Sequence, residues 1–448
     1  MARSFDLIVL GAGSAGLTVA MRAARHGARV ALLDPDLLGG TCVNRGCVPK
    51  KALWFAAQLA QSQALALDYG FDLQPGRLDW AHFCALRSRY IEGIRQRYDA
   101  RLTQAGVQRI AEAARLVAVD TVQTTAGERY RAPQIVIATG ARPRRPDLPG
   151  AALGMVSDDV FSLPALPRRL GIVGGGYVAI EFACLLQALG CEVELLIRQR
   201  VLDSFDAELA QALSEQMVAR GIVITRGADI RAARGEPGAL LLDDASGAVH
   251  GRYDAVLWAV GRVANSDRLG LAEIGVALDP KGHVQTDAFQ NTSVPGVTAL
   301  GDVTARKALT PVAVAAGYAL AERLFGGDPQ ARFDYEAIPS VVFAEPPLGM
   351  VGLTETQARA RHGDAVRVYC RRFTPLQLAV AGREQPSLMK LVCVGADEQV
   401  LGIHVLGPGA DEMLQGFAVA LRQGLRRRDL RSAVAIHPSS AEELLLLR

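Results

Sequence analysis

Two cysteines five positions apart, Cys42 and Cys47, sit inside the run GGTCVNRGCVPKK at residues 39–51. Cysteine reacts as the thiolate, and a helix N-terminus favours that form through its dipole and free amides. A regular helix through both residues would part them by ~7.5 Å along its axis, beyond the ~7 Å between Cα atoms that a disulfide tolerates. The spacing therefore predicts that Cys42 lies before, or within a distorted first turn of, a helix carrying Cys47. Gly46 gives the chain freedom to bend there, and Pro49 is tolerated because first-turn amides have no helical partner. The pair reads as an exchange-competent dithiol. The alternatives are two unrelated buried cysteines or half of a metal site. A metal site needs further ligand clusters, none stands nearby, and no metal is expected.

Such a dithiol needs a scaffold and a source of electrons, and glycine-rich turns point to both. An apolar run over residues 6–10 ends in GAGSAG at 11–16, followed by a helical stretch to His26 and a second strand closed by Asp34. In this strand, turn, helix, strand unit Gly11 permits the tight turn, Gly13 lets backbone approach a pyrophosphate, and Gly16 lets helix pack on strand. Asp34 stands where a ribose hydroxyl is held. The pattern returns over residues 170–181 in LGIVGGGYVAIE, with the next strand over 191–197. One such turn is a weak signal, because glycine turns also serve packing; a matched pair implies two dinucleotide sites.

Between them lie a strand ending in ATG at 138–140 and the proline-rich RPRRPDLPG, which reads as a linker. VTALGD at 297–302 gives a strand with a terminal carboxylate, and a long helix follows over 308–324. From about residue 338 the runs MKLVCV and VLGIHVLG make the chain β-rich, with amphipathic helices between. The expected fold class is α/β, with two Rossmann-like dinucleotide-binding domains and a separate C-terminal α+β domain. Residues 1–142 and 264–337 form the first domain in two segments, 143–263 the second, and 338–448 the third.

A chain of 448 residues, 50% hydrophobic and 21% charged, can bury cores of that number and size. Its net charge of +3 is too small an excess to make nucleic-acid binding a main task. No run approaches the ~20 apolar residues of a membrane span, no signal-peptide pattern opens the chain, and a cytoplasmic location is expected. Of the seven cysteines, Cys84, Cys184, Cys191, Cys370 and Cys393 stand alone and read as small buried hydrophobes.

GGTCVNRGCVPKK resembles the redox-disulfide motif of the class I flavoprotein disulfide reductases. Its two-lysine ending is similar to the branch acting on glutathione and trypanothione disulfides, whereas the lipoamide and mercuric branches usually carry Ser before Lys. The resemblance runs collinearly through GAGSAG, ATG, VTALGD, LTPVAVAAG, VGLTE, MKLVCVG and DEMLQGFAVA to AIHPSSAEE. It implies that Gly11, Gly13, Ser14, Gly16, Asp34, Thr41, Thr139, Gly140 and Asp302 hold FAD. Gly174, Gly176, Tyr177, Ala179, Arg198, Arg200 and Gly261 would hold NADPH, with Tyr177 as a lid over the flavin or else a simple packing residue. Lys50 and Glu181 would pair beside the flavin, with Cys47 the thiolate nearest to it.

In AIHPSSAEE, His437 resembles the family's His-Pro signature, with Glu442 orienting the imidazole. The family places this domain across a two-fold interface, so His437 is expected to serve the other subunit and the enzyme to be an obligate homodimer. The implied reaction is NADPH-dependent reduction of glutathione disulfide: Cys42 attacks, and His437 stabilises the thiolate and protonates the leaving thiol.

Two departures bear on specificity. The second nucleotide strand ends in Ile197, Arg198, Gln199, Arg200 with no acidic residue at the ribose position, which favours a 2′-phosphate. The second arginine usual in NADPH enzymes falls at Asp203, with Arg200 as a substitute. Of three positions where relatives often grip the substrate's carboxylates, Met21, Arg22 and Tyr318, only Arg22 is basic, and Tyr98 matches a tyrosine over the substrate or is a core aromatic. The alternative substrate is a modified disulfide such as glutathione amide disulfide, and the reading from another class is a flavoprotein docking subunit.

Overall fold

A computed structural model describes residues 3–447. They form two compact units, one made of residues up to Ala52, Ala81–Arg144 and Gly261–Tyr335, the other of Leu53–Trp80, Arg145–Val260 and the residues from Glu336 on.

The first unit is built on a five-stranded sheet in the order Val297–Ala299, Gln134–Ile137, Leu7–Leu10, Val30–Leu33, Gln108–Ile110, all parallel. Its central strands LIVL and VALL are wholly apolar because both faces are covered. Leu7 and Val9 enter one apolar cluster and Ile8 and Leu10 the other, the period of two expected of a strand between two layers. The helix Ser14–Arg25 connects the first two strands and packs along the helix Thr310–Phe325. At that crossing a Cβ on Gly317 would come within 3.2 Å of Thr18 Cβ, so the bare glycine sets the approach. A smaller sheet pairs Arg3–Ser4, Arg129–Arg131, Thr121–Thr124 and Ala114–Ala118.

The start of the expected linker is a strand. Ala141–Pro143 pairs antiparallel with Arg262–Ala264, so the chain leaves and re-enters this unit along one two-stranded ribbon. Its alternating Ala, Arg, Pro can occupy a two-stranded ribbon because such a strand has an open edge, where proline's missing N–H costs no ladder bond.

The second unit repeats the plan. A parallel sheet runs Met155–Val156, Ala255–Trp258, Arg169–Val173, Glu192–Ile197, Val223–Arg226, beside an antiparallel meander of Ile230–Arg234, Leu240–Asp244 and Val249–Tyr253. A third, antiparallel sheet orders Ser340–Val342, Leu348–Gly352, Gln399–Leu406, Ser387–Val394 and Val366–Phe373, with the helix Ala410–Arg422 on one face. A buried cation joins it to the parallel layer: Lys390 Nζ lies 3.1, 3.0 and 2.7 Å from carboxylate oxygens of Asp206, Glu208 and Glu355. Two parallel sheets and one antiparallel C-terminal sheet are the α/β class expected.

Residues 53–80, taken with the first domain in sequence, group with the second unit. The reason is tertiary. The Trp54 indole donates to the Ala344 carbonyl at 3.2 Å and packs edge-on to Phe343, the Tyr69 hydroxyl donates to Gln377 at 2.8 Å, and the Trp80 indole donates to Leu163 at 2.8 Å.

Candidate active site

The cysteine run folds as two helical pieces. Gly39 and Gly40 take left-handed φ values of 98° and 59°, a region that favours glycine, and a single turn Gly40–Asn44 carries Cys42. Arg45 breaks the helix at φ −143°, and Cys47 is the first residue of the helix Cys47–Asp68. Gly46 serves as a point of close approach: a Cβ there would meet the Thr41 carbonyl at 3.0 Å. The Lys50 amide bonds to the Gly46 carbonyl at 2.9 Å, so Pro49 falls among first-turn positions whose amides have no helical acceptor.

Both residues are free thiols in this structure, Cys42 half-buried and Cys47 exposed. The Cys42 thiol hydrogen-bonds the Cys47 sulfur, and the Thr310 hydroxyl lies 3.4 Å from Cys47 Sγ. These contacts, with the charge of Lys50 and the residue's own amide, bring Cys47 down to about 6. Cys42 is pushed up, first because it is the donor to Cys47 and then by burial. The pair is thus polarised, one sulfur held as thiolate and the other holding the proton. Ser14, expected to face a nucleotide, hydrogen-bonds Cys42. Sequence reasoning missed Thr310; the readable signal is a Thr-Pro pair opening a helix after VTALGD.

A first prediction follows. Above pH 6 the reduced protein carries the Cys47 thiolate, and protonation removes it as pH falls through about 6. Cys42→Ala deletes the largest cause of the depression, so the midpoint of thiolate ultraviolet absorbance should move up toward the ordinary 9.0. A midpoint unmoved in Cys42→Ala would assign the depression to the helix and Lys50 instead.

The first glycine turn is shaped for a ligand. Gly11 has φ +107°, and a Cβ there would sit 2.4 Å from the Ala138 carbonyl oxygen; one on Gly16 would lie 1.8 Å from the Gly11 oxygen. Gly13 caps the helix Ser14–Arg25 with no side-chain bond and no acidic residue in its first turn, leaving the amide end open to an anion. Gly40 approaches the same turn so closely that its Cβ would be 2.7 Å from Gly13 Cα, which seats the cysteine loop over it. Asp34 accepts the Ala12 amide and, at 2.8 Å, the Asp36 amide, while burial pushes its carboxyl up. Asp302, raised by burial, lines a pocket of ≈ 250 Å³ with Arg262, Lys281, Thr304 and Arg306. Thr139 and Asn265 exchange hydrogen bonds at 2.7 and 2.9 Å, Gly140 is left-handed at φ +69°, and Thr41 lies in the turn with Cys42. The uncapped helix end, the glycines Gly11, Gly13 and Gly16 of the turn and the half-buried carboxylate of Asp302 fit a dinucleotide.

The second turn has the same form. Gly174 takes φ +132° with a would-be Cβ 2.3 Å from the Ala259 oxygen, Gly176 caps the helix Tyr177–Ala188 without a side-chain bond, and Ala179 is fully buried. Tyr177, first in that helix, is 48% exposed. Glu181 is 4% exposed, and its Oε1 accepts the Phe343 amide at 2.9 Å. Arg198 is exposed just past the strand Glu192–Ile197, whereas Arg200 is tied to Asp203 at 2.7 Å. Gly261, at φ +113°, belongs to the first unit, where its carbonyl accepts the Arg144 amide at 2.9 Å.

His437 and Glu442 meet at the chain's end. Nδ1 lies 3.0 Å from Glu442 Oε2 and 3.2 Å from Oε1, which holds the Glu442 carboxyl below its usual range and leaves Nε2 for another group. The imidazole is 79% exposed. The two substrate candidates both lie in the first unit. Tyr98 packs against the apolar cluster under the first sheet. Arg22 Nε donates to Glu322 Oε1 at 2.6 Å, a carboxylate shared with His26, and its guanidinium lies 5.6 Å from the Tyr318 ring centre. Among the described residues no cluster of His, Cys, Asp and Glu could hold a metal ion, and no helix is long and apolar enough to cross a membrane.

Residues 5–317 match the model of a family described as pyridine nucleotide-disulphide oxidoreductase, and residues 338–448 match its dimerisation domain. A glutathione reductase of Yarrowia lipolytica is 38% identical over 464 residues, covering 99% of this chain and 99% of the relative. One from Schizosaccharomyces pombe is 40% identical over 461 residues, covering 100% and 99%. A third, from Burkholderia cepacia, is 40% identical over 445 residues, covering 99% and 98%.

Proposed function

The chain belongs to the pyridine nucleotide-disulphide oxidoreductase family, and we propose that it reduces glutathione disulfide to two molecules of glutathione with NADPH. The observation that carries this is the polarised Cys42–Cys47 pair at the head of a helix. Bound FAD would supply the two-electron chemistry that links hydride transfer from NADPH to reduction of the Cys42–Cys47 disulfide. Gly11, Gly13, Ser14, Gly16, Asp34, Thr41, Thr139, Gly140 and Asp302 would hold it. Gly174, Gly176, Tyr177, Ala179, Arg198, Arg200 and Gly261 would hold the nicotinamide nucleotide, and Lys50 and Glu181 would balance charge near the flavin.

The remaining steps belong to the chain. Cys42 holds its proton because it donates to Cys47, so it needs a base before it can attack. The partner subunit's His437 takes that proton, with Nδ1 fixed on Glu442 so that Nε2 does the work. Cys42 Sγ then bonds to one sulfur of the substrate, the substrate S–S bond breaks, and the first glutathione leaves with the proton from the imidazolium. The Cys47 thiolate attacks Cys42 Sγ, the second glutathione leaves and takes a proton from solvent, and the Cys42–Cys47 disulfide is restored. A homodimer is part of this reading, supported by the dimerisation segment and by Val434 and Ile436 beside His437, which are 97% and 81% exposed. Cytoplasm is the proposed compartment, where the other five cysteines stay reduced.

Arg198→Ala should narrow the preference for NADPH over NADH by roughly tenfold, since one charge-assisted contact is worth ~1.5–3 kcal/mol. Michaelis constants for both cofactors measure this, and a wild type that uses them equally would remove the role of Arg198.

One observation favours a second reading of the substrate. Arg22, the basic side chain available for a substrate carboxylate, already pairs with Glu322. A disulfide with fewer carboxylates, such as glutathione amide disulfide, asks less of an arginine already held by Glu322. Turnover with glutathione disulfide, glutathione amide disulfide and a lipoamide substrate decides: kcat/KM highest for glutathione disulfide supports the first reading, and highest for the amide supports the second.

A further inference from the structure

The 2′-phosphate of NADPH carries close to two negative charges, and Arg200, one of the two arginines at the end of the strand Glu192–Ile197, is already tied to Asp203 at 2.7 Å. A second arginine stands one strand over. In the parallel register Ile197 lies opposite Arg226, the last residue of Val223–Arg226, so Arg226 ends at the same carboxyl edge as Arg198, with strands ~4.8 Å apart. Its Nη1 donates to the Gln199 carbonyl at 3.4 Å, which carries the guanidinium across the edge onto the turn of residues 198–200. The side chain is exposed, and among the described residues no carboxylate pairs with Arg226 or Arg198. The carboxyl edge is where open parallel sheets take their ligands.

We propose that Arg226 is the second arginine of the 2′-phosphate site, supplied by the neighbouring strand in place of the position occupied by Asp203. Arg198 and Arg226 flank the phosphate, and Gln199 fixes the Arg226 guanidinium through its carbonyl. This rests on the reading of NADPH as the reductant, and the test separates the two.

Calorimetric titration with adenosine 2′,5′-bisphosphate and with adenosine 5′-monophosphate isolates the 2′-phosphate without any turnover. In the wild type the bisphosphate should bind more tightly. Arg226→Met, which keeps the apolar stem, should weaken it by roughly ten- to a hundredfold while leaving the monophosphate unchanged. Arg226→Glu should cost more than Arg226→Met, and the loss should shrink at high salt. A wild type that binds both ligands equally overturns the NADPH reading itself. A wild type that prefers the bisphosphate, with both variants keeping its ratio of affinities, overturns the role of Arg226 alone.

Discussion

Serine at either Cys42 or Cys47 is expected to abolish NADPH-driven reduction of glutathione disulfide, by on the order of 10⁴-fold or more, because each step of disulfide exchange needs a sulfur nucleophile that serine does not replace. The two losses should differ in kind. Cys47→Ser keeps Cys42, the sulfur that the mechanism sends to the substrate, but removes the thiolate that would release the second glutathione. Incubated with glutathione disulfide it should accumulate one glutathione in mixed disulfide with Cys42. Cys42→Ser should accumulate none at that position, and its Cys47 should still titrate low, since a serine hydroxyl can donate as the Cys42 thiol does. Peptide mass mapping of the adduct reads the difference, and an adduct that forms on Cys47 in Cys42→Ser but not on Cys42 in Cys47→Ser would reverse the two roles.

The second large effect belongs to the other end of the chain. His437→Ala should slow disulfide reduction by ~10²–10⁴ while leaving reduction of the Cys42–Cys47 disulfide by NADPH nearly intact, because a base is needed only where protons move between thiols. Glu442→Gln should give part of that loss, since it weakens the contact that fixes Nδ1. Mixing tests whether the site is shared. Cys42→Ser and His437→Ala homodimers each hold two damaged sites, but a heterodimer gathers both lesions into one site and leaves the other whole. Co-refolding in equal amounts makes about half the dimers mixed, so activity should recover to ~25% of wild type. Mixed preparations as inactive as either parent would place His437 at the site of its own chain.

What could be read from sequence followed from local rules. Five positions are too long for a disulfide on one helix, and the chain does break at Arg45 between the cysteines. Gly11 and Gly174 were legible because strand-to-helix turns over a phosphate need positive φ and no Cβ, and both have them. The apolar strands announced sheets covered on both faces.

What could not be read depends on contacts across long separations. Thr310 reaches Cys47 from 263 positions away, and Glu322 reaches Arg22 from 300, so no window around either residue contains its partner. Tyr98 has the same local setting whether it meets a ligand or a core; its packing under the sheet is a tertiary fact. Residues 53–80 follow their tryptophan and tyrosine hydrogen bonds, which sequence order conceals. Gly46 reads as a flexible joint, and that it is also a point of close approach is hidden, because only the folded loop brings the Thr41 carbonyl to 3.0 Å from a Cβ there.

The most direct test of the central claim, that Cys42 and Cys47 carry the electrons from NADPH to glutathione disulfide, is thiol mapping on the oxidised, flavin-loaded protein without oxygen. One equivalent of NADPH should expose two new alkylatable thiols, and peptide masses should place them at Cys42 and Cys47. One equivalent of glutathione disulfide, added before the alkylating agent, should close both again and release two glutathione thiols. Labelling of these cysteines that is the same with and without NADPH, or that glutathione disulfide does not reverse, would contradict the account.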